Sequence, residues 1–108
     1  MMRVKFTRYA KQELEDAICY FELEFSGLGK KFKNEVKLAA LRIAEHPQAW
    51  SVERGDVRKC LLHSFPYKLM YSVEKDHILV IAVAHQHRRP HYWVDGFWDK
   101  KRLTERTR

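Results

Sequence analysis

The stretch VRKCLLHSFPYKLMYSVEKDHILVIAVAH, residues 57–85, decides the fold. Its apolar residues alternate, and a period of two is the mark of strands rather than helices. VRKCLLHSF is a first strand, entered through the Gly55–Asp56 turn. YKLMYSV is a second, with Tyr67, Leu69, Tyr71 and Val73 on one face. EKDH is a short hairpin connection. ILVIAVAH is a third strand, apolar on both faces, so it belongs inside a sheet with something covering each side. The apolar run stops at His85, and HQHRRPHYW, residues 85–93, crowds histidines, arginines and aromatics into a few positions.

Upstream the period lengthens. In residues 8–25 Ala10, Leu14, Ala17, Ile18, Phe21 and Phe25 recur at helical spacing, with acidic residues on the flanks. Thr7 is placed to cap that helix. SGLG breaks the chain, and a second helix runs from about Leu28 to Glu45 along the stripe Leu28, Phe32, Val36, Ala39, Ala40 and Ile43. HPQAW ends it, since proline removes a donor and disfavours helix in the residue before it. Two amphipathic helices joined by a glycine-rich turn make an αα-hairpin. RVKFT, at the start, alternates like a short strand. The expected architecture is α+β, a small antiparallel sheet backed by a helical hairpin, in the order βααβββ. Counting directions puts the end of the last strand beside the HSFPY turn, so that His85, His87, Arg88 and Arg89 meet His63, Ser64 and Lys68 at one sheet edge.

The chain has 108 residues, enough for one domain, here taken as residues 1–93 with a charged tail at 94–108. Lys and Arg number 21 against 14 Asp and Glu, a net charge of +7. That balance favours acidic partners: nucleic acid, an acidic protein or an anionic surface. Cys19 and Cys60 have no CxxC spacing, so a disulfide framework is excluded, and each reads as a small buried hydrophobe. The opening residues are too charged for a signal peptide, and ILVIAVA is too short to cross a bilayer. The expectation is a soluble, cytoplasmic protein with no membrane partner and no cofactor. Zinc is disfavoured, because His85 and His87 alternate across a strand end and neither cysteine has a companion at ligand spacing.

The βααβββ order, the FPY-x3-Y hairpin at residues 65–71 and the AH-x2-RRP-x-YW ending at residues 84–93 together resemble the RelE/ParE superfamily of bacterial toxins. These are the toxin components of type II toxin–antitoxin systems, and the ending is nearer the ParE branch. The resemblance implies a growth inhibitor neutralised by a cognate antitoxin, which would also be its only route to operator DNA. ParE-like members poison DNA gyrase, and a role in plasmid stabilisation goes with that reading. RelE-like members cut messenger RNA on the ribosome. A third possibility is a non-toxic basic module that only pairs with an antitoxin.

The branches ask different things of the same residues. RNA cleavage needs a base, cations for the phosphorane and an acid for the leaving oxygen. The resemblance would give those roles to Arg58 or Lys59, Lys68, Arg88, Arg89 and Tyr92, with His85 and His87 able to carry protons near neutrality. The alternate-position lysine pair favoured by RelE-like enzymes is missing from the first hairpin strand, where Leu61 stands two residues after Lys59. A binding surface without chemistry would use His63, His85, His87, Arg88, Arg89, Tyr92 and Trp93, the arginines holding anions and the aromatics stacking. Arg88 and Arg89 would be plain solvated residues if neither holds. Trp50 is expected to fold over the core edge. Leu23, Leu38 and Leu41, off the core stripes, are expected to pack between the helices or against the sheet; the alternative is that they line an antitoxin groove.

Overall fold

The computed structural model describes residues 1–87. A 17-residue helix and an 18-residue helix stand on one side of a five-stranded mixed sheet. In chain order the elements are β1 (Arg3–Phe6), α1 (Arg8–Glu24), α2 (Leu28–Glu45), β2 (Val52–Arg54), β3 (Val57–Leu61), β4 (Tyr67–Val73) and β5 (His77–His85). The strands lie in the order β1-β5-β4-β3-β2. The α+β class and the helical hairpin are as the sequence predicts, and α2 has the expected bounds.

Two features correct the expected sheet. VER at residues 52–54 is a strand, β2, paired antiparallel with β3 across the Gly55 turn. Three residues are too few to show an alternation, so this strand had no signal of its own. Its presence adds one reversal of direction. β5 therefore runs parallel to β1, with Arg3 opposite His77 and Phe6 opposite Val80, and the sheet is mixed rather than wholly antiparallel. The strand assigned to VRKCLLHSF is also shorter than expected, ending at Leu61.

Local chemistry sets the helix ends. The Thr7 hydroxyl accepts the Ala10 N–H at 3.0 Å, satisfying one of the orphan donors at the start of α1. Gly27, at φ 90°, begins α2 and has no side chain to cap with. Glu22 of α1 replaces it: its carboxylate accepts the N–H of Gly27 at 2.9 Å and of Gly29 at 3.0 Å. A carboxylate there also meets the positive end of the helix dipole. The same glycine lets the helices touch, since a Cβ on Gly29 would lie 2.6 Å from the Ile18 carbonyl oxygen.

The main core lies between the hairpin and the sheet. Phe32, Val36 and Ile43 of α2 pack on Leu69, Tyr71, Val80 and Val83. Trp50 packs at its edge, as expected. A second cluster, Val57, Met70, Leu79, Ile81, Ala82 and Ala84, lies on the other face of the sheet, so β5 is buried on both sides. The register slips by one between Met70 and Tyr71, which face Ala82 and Val80, leaving Ile81 as the bulged residue. Beyond the bulge, Val83 takes up the helix-facing side.

Several single residues fall elsewhere than expected. Cys19 is exposed and only Cys60 is buried. Leu23, Leu38 and Leu41 are exposed, at 83%, 54% and 52%, rather than packed between helices or against the sheet. No helix among the described residues is long and apolar enough to cross a membrane.

Candidate functional site

The end of the sheet where β3 turns into β4 and β5 stops is built by three strands and braced by both helices. Tyr67 lies opposite His85 and Lys68 opposite Ala84. The Gln86 N–H donates to the Pro66 carbonyl at 2.7 Å, tying the exit of β5 to the HSFPY turn. Glu35 of α2 holds that turn from the other side, accepting the N–H of His63 at 2.5 Å and of Ser64 at 2.8 Å. His63, His85 and His87 are all exposed there. The end of β5 thus lies beside the HSFPY turn, as the direction count predicts.

The two faces of that edge differ. His85 points to the helix side. Its ring stands 5.5 Å from Tyr67 and 5.2 Å from His87, centroid to centroid. The His87 N–H donates to His85 Nδ1 at 3.1 Å. Beside it, Tyr20, Tyr67 and Glu13 wall a notch of about 340 Å³ between α1 and β5. Glu13 accepts the Val83 N–H at 2.8 Å, on the stretch of β5 that extends past its pairing with β1. Burial pushes the Tyr67 hydroxyl pKa up, and the neighbouring Tyr20 and Glu13 push it the same way.

Lys68 points to the opposite, helix-free face, so it shares an edge with His85 but not a surface. It is 6% exposed, and its ammonium has no hydrogen bond or ion pair among the described residues. Lys59 points the same way one strand over. It faces Met70 while Lys68 faces Leu61, a diagonal relation of about 7–8 Å. The Lys59 ammonium pairs with Glu53 at 3.4 Å. Two lysines therefore share one face of the sheet from adjacent strands, an arrangement that inspection of one strand at a time misses. The hairpin register was the signal that could have found it.

Arg58 does not join this group. It lies on the helix side, three residues back along β3 from Leu61. Its guanidinium donates to the Trp50 carbonyl at 2.6 Å, to Gln48 Oε1 at 2.7 Å and to the Gln48 carbonyl at 3.4 Å. Those bonds pin the connection between α2 and β2. Arg88, Arg89, Tyr92 and Trp93 lie outside the described residues.

A second feature sits at the far side of the helical hairpin. Between β1 and α2 runs an apolar groove of about 490 Å³, walled by Val4, Phe6, Leu14, Val36 and Leu41, with Lys33 and Lys37 also lining it. Among the described residues, β1 is an edge strand whose outer side has no neighbour in the sheet.

Comparisons with known proteins agree with this architecture. The family model described as the ParE toxin of the type II toxin–antitoxin system, parDE, matches residues 4–90. No curated protein matches the chain. Among solved structures, the isolated RelE toxin of E. coli is similar at 22% identity and a TM-score of 0.61, with 100% of each chain covered. A chain of the chromosomal ParDE system from P. aeruginosa is similar at 19% identity and a TM-score of 0.60, covering 79% of this chain and 96% of that one. The conserved hypothetical protein HP0894 from Helicobacter pylori follows at 22% identity and a TM-score of 0.51, covering 79% and 94%. At such identities the structural likenesses speak for the fold alone.

Proposed function

The chain belongs to the ParE toxin family of type II toxin–antitoxin systems, and from that premise we propose that it arrests bacterial growth by acting on DNA gyrase until a cognate antitoxin binds it. The observation that carries this reading is the family match over residues 4–90. The geometry supports a docking role over a chemical one at the target edge. Arg58, one of the cations a nuclease would need, is spent on Gln48 and Trp50. His63, His85 and His87 form an exposed rim at the point where the chain leads into Arg88, Arg89, Tyr92 and Trp93. That rim and those residues are the surface assigned to the target.

The antitoxin is assigned to the opposite side. The groove between β1 and α2 is apolar inside and lined by lysines, which suits an amphipathic segment with acidic flanks. Operator DNA would be reached only through that partner.

A ribosome-directed mRNA endonuclease is the second reading. One observation favours it: Lys59 and Lys68 share one face of the sheet from adjacent strands.

The deciding experiment is induced expression in a bacterium without antitoxin, with DNA and protein synthesis pulse-labelled side by side over the first minutes. DNA synthesis stopping first, with strand breaks and filamentation, is expected. Protein synthesis stopping first would replace gyrase by the ribosome. Continued growth with both rates unchanged would make the chain a non-toxic binding module.

A further inference from the structure

The HSFPY turn is anchored on either side of its first two residues. Phe65 is buried, its ring 4.9 Å from Phe21 and 5.0 Å from Phe32. The Leu62 N–H donates to the Tyr67 carbonyl at 2.9 Å, and the Pro66 carbonyl accepts the Gln86 N–H from the exit of β5. His63 and Ser64, between those anchors, are exposed. Both of their N–H groups donate to one oxygen of Glu35, on α2. Water would satisfy two exposed N–H groups, but it exchanges and imposes no shape. A carboxylate does impose one when its own backbone is fixed. Glu35 is half-buried, and Phe32, Val36 and Ala39 around it on α2 are at most 2% exposed.

We propose, on the reading that this rim is the target surface, that Glu35 is a positioning residue for it. The carboxylate fixes the backbone at residues 63 and 64, and with it the directions from which His63 and Ser64 meet the target. It acts through those two residues, as a supporting group acts through the one that makes contact. An ionised acceptor suits the task, because its bonds are shorter and stronger than those of a neutral one. The same helix borders the apolar groove, but from its other flank: Lys33, Val36, Lys37 and Leu41 line that channel and Glu35 does not. Loss of the Glu35 carboxylate therefore separates two functions. Action on the target weakens, and antitoxin binding does not.

The test induces the full-length chain at graded levels without antitoxin, well below the melting temperature of every variant, and quantifies the soluble toxin that halves the growth rate. Glu35→Ala is expected to need about tenfold more, the effect of one charge-assisted hydrogen bond. Glu35→Gln, which keeps an acceptor oxygen, should fall between it and the native chain. Tyr71→Phe serves as the control for stability alone, since it removes a hydrogen bond to Pro47, away from the rim, and should match the native dose. Affinity for the antitoxin should be native in all three. A native dose for Glu35→Ala would overturn the proposal, and so would an equal rise for Tyr71→Phe. The double variant His63→Ala/His87→Ala tells that failure from failure of the rim reading. If it raises the dose while Glu35→Ala does not, the rim meets the target and the brace is idle. If neither raises it, the rim is not the target surface and both ideas fall. A native chain that does not arrest growth would sink both as well.

Discussion

Glu35 and His63 are 28 residues apart and joined by a hydrogen bond of 2.5 Å from the His63 N–H to the Glu35 carboxylate. The same oxygen accepts the Ser64 N–H. An ionised acceptor makes such bonds stronger than neutral ones, so a helix on one side of the core sets the shape of a turn on the rim. Glu35→Ala is expected to lower stability by about 1.5–3 kcal/mol, measured by urea unfolding. Glu35→Gln, which keeps an acceptor oxygen, should lose less. Equal losses would mean that charge plays no part.

Arg58 separates a structural reading from a catalytic one. Arg58→Ala strips the α2–β2 connection of its bonds to Gln48 and Trp50. A loss of about 1–3 kcal/mol is expected, with growth arrest retained below the lowered melting temperature. Full stability with abolished arrest would instead mark Arg58 as part of the chemistry.

Gly29→Ala tests the helix contact. By helix propensity alone, alanine in α2 gains about 1 kcal/mol. The added Cβ would meet the Ile18 carbonyl at 2.6 Å, and that backbone cannot yield without parting the helices. The variant should be destabilised by about 1–3 kcal/mol, read from thermal unfolding. A rise in melting temperature would show that the hairpin has slack.

Leu41 tests the antitoxin groove. It is half exposed and walls the apolar channel. Leu41→Glu should leave the melting temperature within a degree or two while weakening antitoxin binding at least tenfold in a titration. Co-expressed antitoxin should then fail to restore growth. Unchanged rescue would move the docking site elsewhere.

Alkali should unfold the protein by way of Tyr71. Its hydroxyl donates to the Pro47 carbonyl at 2.7 Å, and burial pushes its pKa from 10.0 up to about 12, with Arg58 pulling slightly the other way. A raised pKa means that the fold favours the protonated form. Its contribution is therefore complete below pH 10 and lost as pH climbs towards 12. Burial also raises the Cys60 thiol, so the decline should begin nearer pH 9. Urea midpoints taken from pH 8 to pH 12 should fall for the native chain and fall less for Tyr71→Phe. The variant should be about 1 kcal/mol weaker at neutral pH.

The legible parts of this chain were those where one residue type repeats at one period. The stripe of α2 from Leu28 to Ile43 and the two-sided run of β5 predict their elements directly, because burial on a regular element leaves a regular trace. β2 leaves none, and its omission reversed the expected direction of β5 relative to β1. At the rim, the placement of the end of β5 beside the HSFPY turn followed from adjacent strands alone. The faces did not: assigning Lys68 and His85 to opposite sides needed the register of Tyr67 on His85. Arg58 looked like a free cation because its partners, two of them backbone carbonyls, carry no signature in sequence. Leu41 was assigned to packing because apolar residues usually pack, and nothing local distinguishes a residue buried by its own chain from one left for a partner.

The parallel pairing of β1 with β5 has a consequence for how the protein is made. The Thr7 hydroxyl donates to the Ile81 carbonyl 74 residues away, and contacts of such separation form late, since a long loop must be closed first. β1 and both helices leave the ribosome well before β5 exists to receive them. During that interval the apolar sides of α1 and α2 have no sheet to lie on. Burial of those sides therefore waits on β5, the last-made of the described strands.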